Sequence, residues 1–117
     1  MKLIDILQEI TTNFAKYREN YKEYAHEIKK MASKHYGNNF VKLIVFGSMV
    51  KGNYRADSDI DIAIILKESV DEFERAKFVS LVNKKFKLNP FEIHIISIDA
   101  WEKWYKNFVK KDFIEVE

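Results

Sequence analysis

The strongest constraint on the fold is the run Ser58–Leu66, which reads SDIDIAIIL. Successive side chains of a strand point to opposite faces. As a strand, this run places Ile60, Ile62, Ile64 and Leu66 on one face and Asp59, Asp61, Ala63 and Ile65 on the other. Since every residue after Asp61 is apolar, the middle of the strand is expected to be buried, with two carboxylates at one end.

Two further strands and a crossover helix surround this strand. Phe40–Phe46 precedes it and Phe91–Ile98 follows it, both as short apolar strands. Between the second and third strands, Ser69 and Glu72 form a capping box that opens a helix to about Phe86. A helix between two strands makes a βαβ crossover, so these strands should be parallel and their starting ends should lie together.

Helices are expected at both ends of the chain. Apolar or aromatic residues recur four and three apart at Leu3, Leu7, Ile10, Phe14, Tyr17, Tyr21, Tyr24, Ile28 and Met31. This stripe predicts a helix over residues 2–35, continuous in preference to broken at 11–13, that packs on the core or partly meets another subunit. Asp99 with Glu102 forms a second capping box, opening a helix whose apolar face holds Trp101, Trp104, Tyr105 and Phe108. The tail from residue 112 is left undetermined.

Composition excludes several classes of protein. The 117 residues fit one domain, 1–117, and a net charge of +2 gives no support for direct nucleic-acid binding. No apolar run approaches the ~18 residues of a membrane span, and Asp5 and Glu9 interrupt the region of a signal peptide, so we expect a soluble cytoplasmic protein. With no cysteine, any metal must be bound by oxygen or imidazole.

Three carboxylates should converge at the start of the parallel strands. Asp59 and Asp61 project from one face, ~6–7 Å apart at the backbone. Glu92, the second residue of the third strand, should lie beside them. Three such oxygen ligands suit Mg²⁺ or Mn²⁺, whose usual companions are substrate phosphates.

A loop rich in small residues should reach the same edge. If the first strand is antiparallel to the second, Gly47 and Ser48 arrive beside the acids and offer backbone amides and a hydroxyl to a polyphosphate. Gly52 permits a tight return of the chain. Lys51 and Arg55 are candidates for phosphate contact, although any loop of a chain with 20 basic residues would hold such side chains.

Two more polar residues have competing interpretations. Ser58 is a candidate for nucleotide binding, although stabilisation of the turn into the strand is its more common role. His94 shares a face with Glu92 and could approach the site, but a lone strand histidine is more often packed or hydrogen-bonded.

The motifs at the centre of the chain resemble a known family. Gly47-Ser48, ten intervening residues and Asp59-Ile60-Asp61 are similar to the signature of polymerase-beta-type nucleotidyltransferases. The segments GSMVKG and DSDIDIAII resemble more closely the minimal nucleotidyltransferases (MNT), antitoxins encoded beside HEPN toxins. The resemblance covers residues of about 40–98.

The resemblance implies a fold and a set of ligands. The fold would be α/β (α+β), with a mixed three-stranded sheet in the order 1-2-3 packed by helices. ATP would be the nucleotide donor, with two Mg²⁺ ions held by Asp59, Asp61 and Glu92, and Gly47 and Ser48 would hold the triphosphate. The family often has Arg where Lys51 stands and Asp where Glu92 stands.

The expected activity is therefore metal-dependent transfer of AMP to a hydroxyl, with Glu92 also a candidate proton acceptor. A domain of 117 residues leaves little room for a separate acceptor pocket, which favours a protein partner or a dimer mate and hence a hetero-oligomer or homodimer. The resemblance implies that the acceptor is a tyrosine of a HEPN toxin. Two alternatives remain: an enzyme that modifies small molecules, as aminoglycoside nucleotidyltransferases do, and a non-catalytic antitoxin that binds its toxin.

Overall fold

The chain folds into helices packed against a mixed sheet. A computed structural model describes residues 2–52, 59–109 and 112–117. The elements in chain order are α1 (Leu3–Glu19), α2 (Tyr21–Tyr36), a 3₁₀ turn (Gly37–Asn39), β1 (Phe40–Phe46), α3 (Ser48–Lys51), β2 (Ile60–Leu66), α4 (Glu72–Lys85), β3 (Phe91–Ser97), α5 (Ile98–Ala100), a π-helical turn (Trp101–Tyr105), α6 (Lys106–Val109) and β4 (Phe113–Val116).

Helices α1 and α2 are separated by the single residue Asn20. Its N–H donates to the carbonyl of Lys16 and its carbonyl accepts from the N–H of Tyr24, so helical hydrogen bonding crosses the junction. The predicted helical stretch over residues 2–35 is confirmed, but the preference for one continuous helix was wrong. The interruption lies at Asn20 and not at the alternative position 11–13. In the described part of the chain, no helix is long and apolar enough to cross a membrane.

Four strands form one sheet in the order β3-β2-β1-β4. Strand β1 is antiparallel to both β2 and β4, and β2 is parallel to β3. The expected neighbours and the parallel crossover are confirmed. The sheet has four strands and not three, because residues 113–116 of the undetermined tail pair with the open edge of β1.

The two faces of β2 pack into two separate cores, as its alternation predicts. Ile60, Ile62, Ile64 and Leu66 lie in the larger core, against side chains of α1, α2 and α4 such as Tyr17, Ile28 and Phe78. Ala63 and Ile65 lie in a smaller core with Ile44 and Trp101. Asp61 lies on the same face of β2 as this smaller core, which Trp101 and Tyr105 of the C-terminal helical segment cover.

The crossover helix α4 is capped by a different residue from the one predicted. Asp71 stands immediately before the helix with extended backbone, and its carboxylate accepts a hydrogen bond of 2.8 Å from the N–H of Glu74. Ser69 lies two residues too early to reach that N–H. The prediction of a Ser69–Glu72 capping box was therefore wrong, although the predicted helix is present.

The C-terminal helical segment begins earlier than predicted, whereas α4 begins later. Ser97 ends β3 and its hydroxyl accepts from the N–H of Ala100 at 3.1 Å, so Ile98 is the first helical residue. The Asp99–Glu102 capping box was wrong, because the Ser97 hydroxyl already caps the helix two residues earlier. Strand β2 begins at Ile60, later than predicted, and Ser58 lies outside the described residues.

Candidate active site and metal centre

Strand register brings two of the predicted acids side by side. Asp61 pairs with Glu92 across the parallel strands β2 and β3, each being the second residue of its strand. On the other side Asp61 pairs with Phe46, the last residue of the antiparallel strand β1. The end of β1 and the starts of β2 and β3 therefore meet at one edge of the sheet, as the sequence predicted.

His94 completes a cluster of three possible metal ligands with these acids. Its Nε2 lies 3.4 Å from Asp61 Oδ1 and 3.8 Å from Glu92 Oε1. One ligand atom from each of the three residues lies within 4.8 Å of the others. We call this group the Asp61–Glu92–His94 cluster. Both sequence interpretations of His94 agree with this position: the residue approaches the site, and it is packed against Phe46 and within hydrogen-bonding distance of Asp61.

Position 47 requires glycine for two reasons, its backbone conformation and the closeness of Asp61. Its φ of 88° and ψ of −154° belong to a region that is essentially restricted to glycine. A Cβ built on Gly47 would collide with the Oδ2 atom of Asp61 and lie 3.2 Å from its carboxyl carbon. The missing side chain therefore leaves the space that the Asp61 carboxylate occupies.

The residues after Gly47 form one short turn of helix. Ser48 begins α3 and is partly buried, while Lys51 at its end is exposed. Gly52 ends the turn with φ at 81°, which agrees with the tight return predicted there. Arg55 and Ser58 lie outside the described residues.

Asp59 stands apart from the cluster. It is exposed, precedes the first residue of β2 and is not one of the three clustered ligands. Its charge nevertheless acts on Glu92. Among the three predicted acids, the structure thus brings Asp61 and Glu92 together and leaves Asp59 at the rim.

The electrostatics of Glu92 reflect this crowding. Partial burial raises the pKa of the Glu92 carboxyl above its usual value of 4.5, and the negative charge of Asp61 acts in the same direction. His94 opposes the shift, whereas Asp59 adds to it more weakly. Two carboxylates this close repel each other, so a bound cation would relieve a real electrostatic penalty.

Aromatic rings cover the cluster on the side of the smaller core. The His94 ring lies 5.4 Å from the Phe46 ring and 6.1 Å from the Tyr105 ring, measured between centroids. Trp101 is buried beneath them with 1% of its surface exposed. The predicted shared face of the C-terminal helix is confirmed for Trp101 and Tyr105; the side chains of Trp104 and Phe108 lie outside the described residues.

The donor set fits a divalent cation. Two carboxylates and an imidazole are common ligands for such ions, and the absence of a side chain at Gly47 leaves room for the Asp61 carboxylate in the cluster. Strand ends that carry acids beside a glycine turn can bind a metal–polyphosphate complex and expose its phosphorus to a nucleophile. This chemistry is that of phosphoryl or nucleotidyl transfer.

Comparison with known families agrees with this chemistry. The family described as Polymerase beta, Nucleotidyltransferase matches residues 26–114. The chain belongs to this family and is a nucleotidyltransferase, which confirms the predicted family and enzyme class.

Individual relatives refine the comparison. A protein of Methanocaldococcus jannaschii named "Putative protein adenylyltransferase MJ0141" is 30% identical over 89 residues, covering 76% of this chain and 83% of the relative. A crystal structure of a "putative nucleotidyltransferase" is 31% identical with a TM-score of 0.62, covering 79% of this chain and 96% of the other. The toxin-antitoxin MntA-HpeT, in mutant form, is 13% identical with a TM-score of 0.54, covering 74% and 68%, and shares the fold.

Proposed function

We propose that this protein transfers AMP from ATP to a hydroxyl group of a partner protein. The observation that carries the proposal is the convergence of Asp61 and Glu92 beside Gly47 at one edge of the sheet. The relative from Methanocaldococcus jannaschii, named as a protein adenylyltransferase, supports a protein as the acceptor.

Each residue has a defined task in this reaction. Asp61 and Glu92, with Asp59 at the rim, would hold two divalent cations, Mg²⁺ or Mn²⁺, whose charge would neutralise the phosphates and make the acceptor hydroxyl easier to deprotonate. Gly47 lets the triphosphate approach the backbone, and Ser48 donates its hydroxyl to a phosphate oxygen. Lys51, Gly52, Arg55 and Ser58 remain candidates for contact with the nucleotide.

The transfer balances without a further reactant. The acceptor oxygen attacks the α-phosphorus of ATP, the bond from that phosphorus to the bridging oxygen breaks, and pyrophosphate leaves. The Glu92 carboxylate takes the proton of the acceptor hydroxyl. Glu92 suits this role because 54% of its side chain is exposed, so an incoming hydroxyl can reach it.

The acceptor that we propose is a tyrosine of a HEPN-type toxin, with this protein as its antitoxin. The motif resemblance to minimal nucleotidyltransferases motivates this choice, and the shared fold with MntA-HpeT is consistent with it. An acceptor carried on a folded protein needs an open site, and both Asp59 and Glu92 are exposed.

The test is to incubate the protein with the product of its neighbouring gene, ATP and Mg²⁺, and to measure the intact mass of that product. We expect additions of ~329 Da, the mass of ATP minus pyrophosphate. Glu92→Gln should lose the addition. Glu115→Gln is a matched control, because Glu115 is also a strand glutamate, with 55% of its side chain exposed, and lies on β4.

Other outcomes would overturn the proposal. Transfer at the original rate by Glu92→Gln would remove Glu92 from the mechanism. Tight binding of the neighbour without a mass change under any metal would indicate a non-catalytic antitoxin. Transfer to small hydroxyl compounds in preference to the protein would indicate the aminoglycoside-like alternative.

A further inference from the structure

His94 has a position that the proposed reaction does not use. It lies on β3 two residues after Glu92, and its Nε2 is directed at the carboxylates of Asp61 and Glu92. Phe46 and Tyr105 contact its ring from the side of the smaller core. These contacts hold the ring with a nitrogen facing the acids.

The spacing of the cluster is close to that of ligands around one ion. In octahedral coordination with bonds of ~2.0–2.1 Å, neighbouring ligands are ~3 Å apart and opposite ligands ~4 Å apart. The distances of 3.4 Å from His94 Nε2 to Asp61 Oδ1 and 3.8 Å from His94 Nε2 to Glu92 Oε1 lie between these two values. Because all three side chains are partly exposed, shifts of less than about 1 Å would place their ligand atoms around one ion.

An imidazole changes which ion such a site prefers. Mg²⁺ is a hard ion that favours oxygen ligands and keeps its waters, whereas first-row transition metals accept imidazole nitrogen readily. We infer that His94 is a direct ligand of the ion held by Asp61 and Glu92, and that it makes this position selective for a divalent transition metal such as Mn²⁺ over Mg²⁺. The inference rests on the proposed function in taking the two carboxylates as metal ligands.

The decisive measurement is pulsed electron paramagnetic resonance of Mn²⁺ bound to the full chain. A directly coordinated imidazole gives a nitrogen nuclear coupling, which we expect in the native protein and not in His94→Leu or His94→Gln. The leucine variant can pack against Phe46 and Tyr105, and the glutamine variant offers an oxygen, so at least one of them should retain the fold. His35→Gln is the control, since His35 is another partly buried histidine beside a glutamate, Glu74.

Affinity provides a second readout. Loss of a group that only supports a metal ligand weakens binding about 10–100-fold, so removal of a direct ligand should weaken Mn²⁺ binding at least about tenfold. Mg²⁺ affinity, measured by displacement of Mn²⁺, should change much less. The ratio of the two affinities should therefore fall in both His94 variants and stay constant in His35→Gln.

The outcomes separate this inference from the proposed function. Bound Mn²⁺ without nitrogen coupling in the native protein would overturn the inference and make His94 a packed neighbour of the acids, while AMP transfer could still occur. Conversely, nitrogen coupling together with no AMP transfer under any metal would support the metal site and overturn the proposed function.

Discussion

Replacing Gly47 by alanine should lower the free energy of unfolding and disturb the position of the Asp61 carboxylate. Two penalties add at this position. The backbone conformation, with φ at 88° and ψ at −154°, is strained for any other residue, which costs about 1–3 kcal/mol. The new Cβ would also collide with the carboxylate of Asp61, and forcing extra atoms into packed space costs about 1–3 kcal/mol more.

Gly37→Ala separates these two penalties. Gly37 also has a strained conformation, with φ at 55° and ψ at −126°, but a Cβ built there meets nothing within 4 Å. Urea unfolding should therefore show Gly47→Ala to be less stable than Gly37→Ala by about 1–3 kcal/mol. In an Asp61→Ala background the carboxylate is gone, and the difference should largely disappear.

Two results would refute this reasoning. Equal stability losses in Gly37→Ala and Gly47→Ala would show that the carboxylate moves away without penalty. A larger loss at Gly47 that persists in the Asp61→Ala background would assign the extra penalty to the backbone alone. Mn²⁺ binding gives an independent check, since displacement of Asp61 should weaken it in Gly47→Ala and leave it unchanged in Gly37→Ala.

Three further predictions concern the acids and the crossover helix. In a transfer assay, Asp61→Asn should abolish activity, and survival of activity in the double variant with Asp59→Asn would refute metal-dependent transfer at these residues. Because the pKa of Glu92 is raised, its favourable contribution to the free energy of unfolding is full below the usual value of 4.5 and is lost as the pH rises through the folded-state pKa. This loss should be absent from Glu92→Gln when the free energy of unfolding of the metal-free protein is measured against pH. Asp71→Ala should lower the unfolding free energy by about 1 kcal/mol, and Ser69→Ala, measured alongside it, should have little effect.

The strands could be predicted because their patterns are local. β1 has the predicted bounds Phe40–Phe46, since an apolar run between a glycine-containing turn and Gly47 leaves little freedom. The two faces of β2 follow from simple alternation. Strand β4 was not predicted, because residues 113–116 become a strand only through pairing with β1, and a short edge strand has a weak pattern of its own.

The cluster could be predicted in part. Asp61 and Glu92 meet because a crossover rule and a residue count fix their register. His94 could be placed on the correct face, but whether its ring turns toward the acids depends on Phe46 and Tyr105, which come from other elements. Asp59 was placed wrongly for a different reason. The prediction assumed that Asp59 belongs to the strand, whereas β2 begins one residue later, at Ile60.

The apolar stripe of the N-terminal helices contains side chains in two different environments. Tyr17 and Ile28 are buried in the larger core, as a core-facing helix requires. Leu3 and Leu7 continue the same stripe but are 71% and 53% exposed. Periodicity reports only that a helix has an apolar face, and the extent of the sheet decides how much of that face is covered.

The late position of β4 in the chain has a consequence for synthesis. Leu43 pairs with Val116, so this contact joins distant parts of the sequence and must wait until residues 113–116 have left the ribosome. Strands β1, β2 and β3 are available earlier, and with them Asp61 and Glu92. Until residues 113–116 arrive, one edge of β1 has unpaired backbone groups that another nascent chain could bind. Translation that stalls shortly before β4 should therefore yield aggregates in preference to a soluble, truncated enzyme.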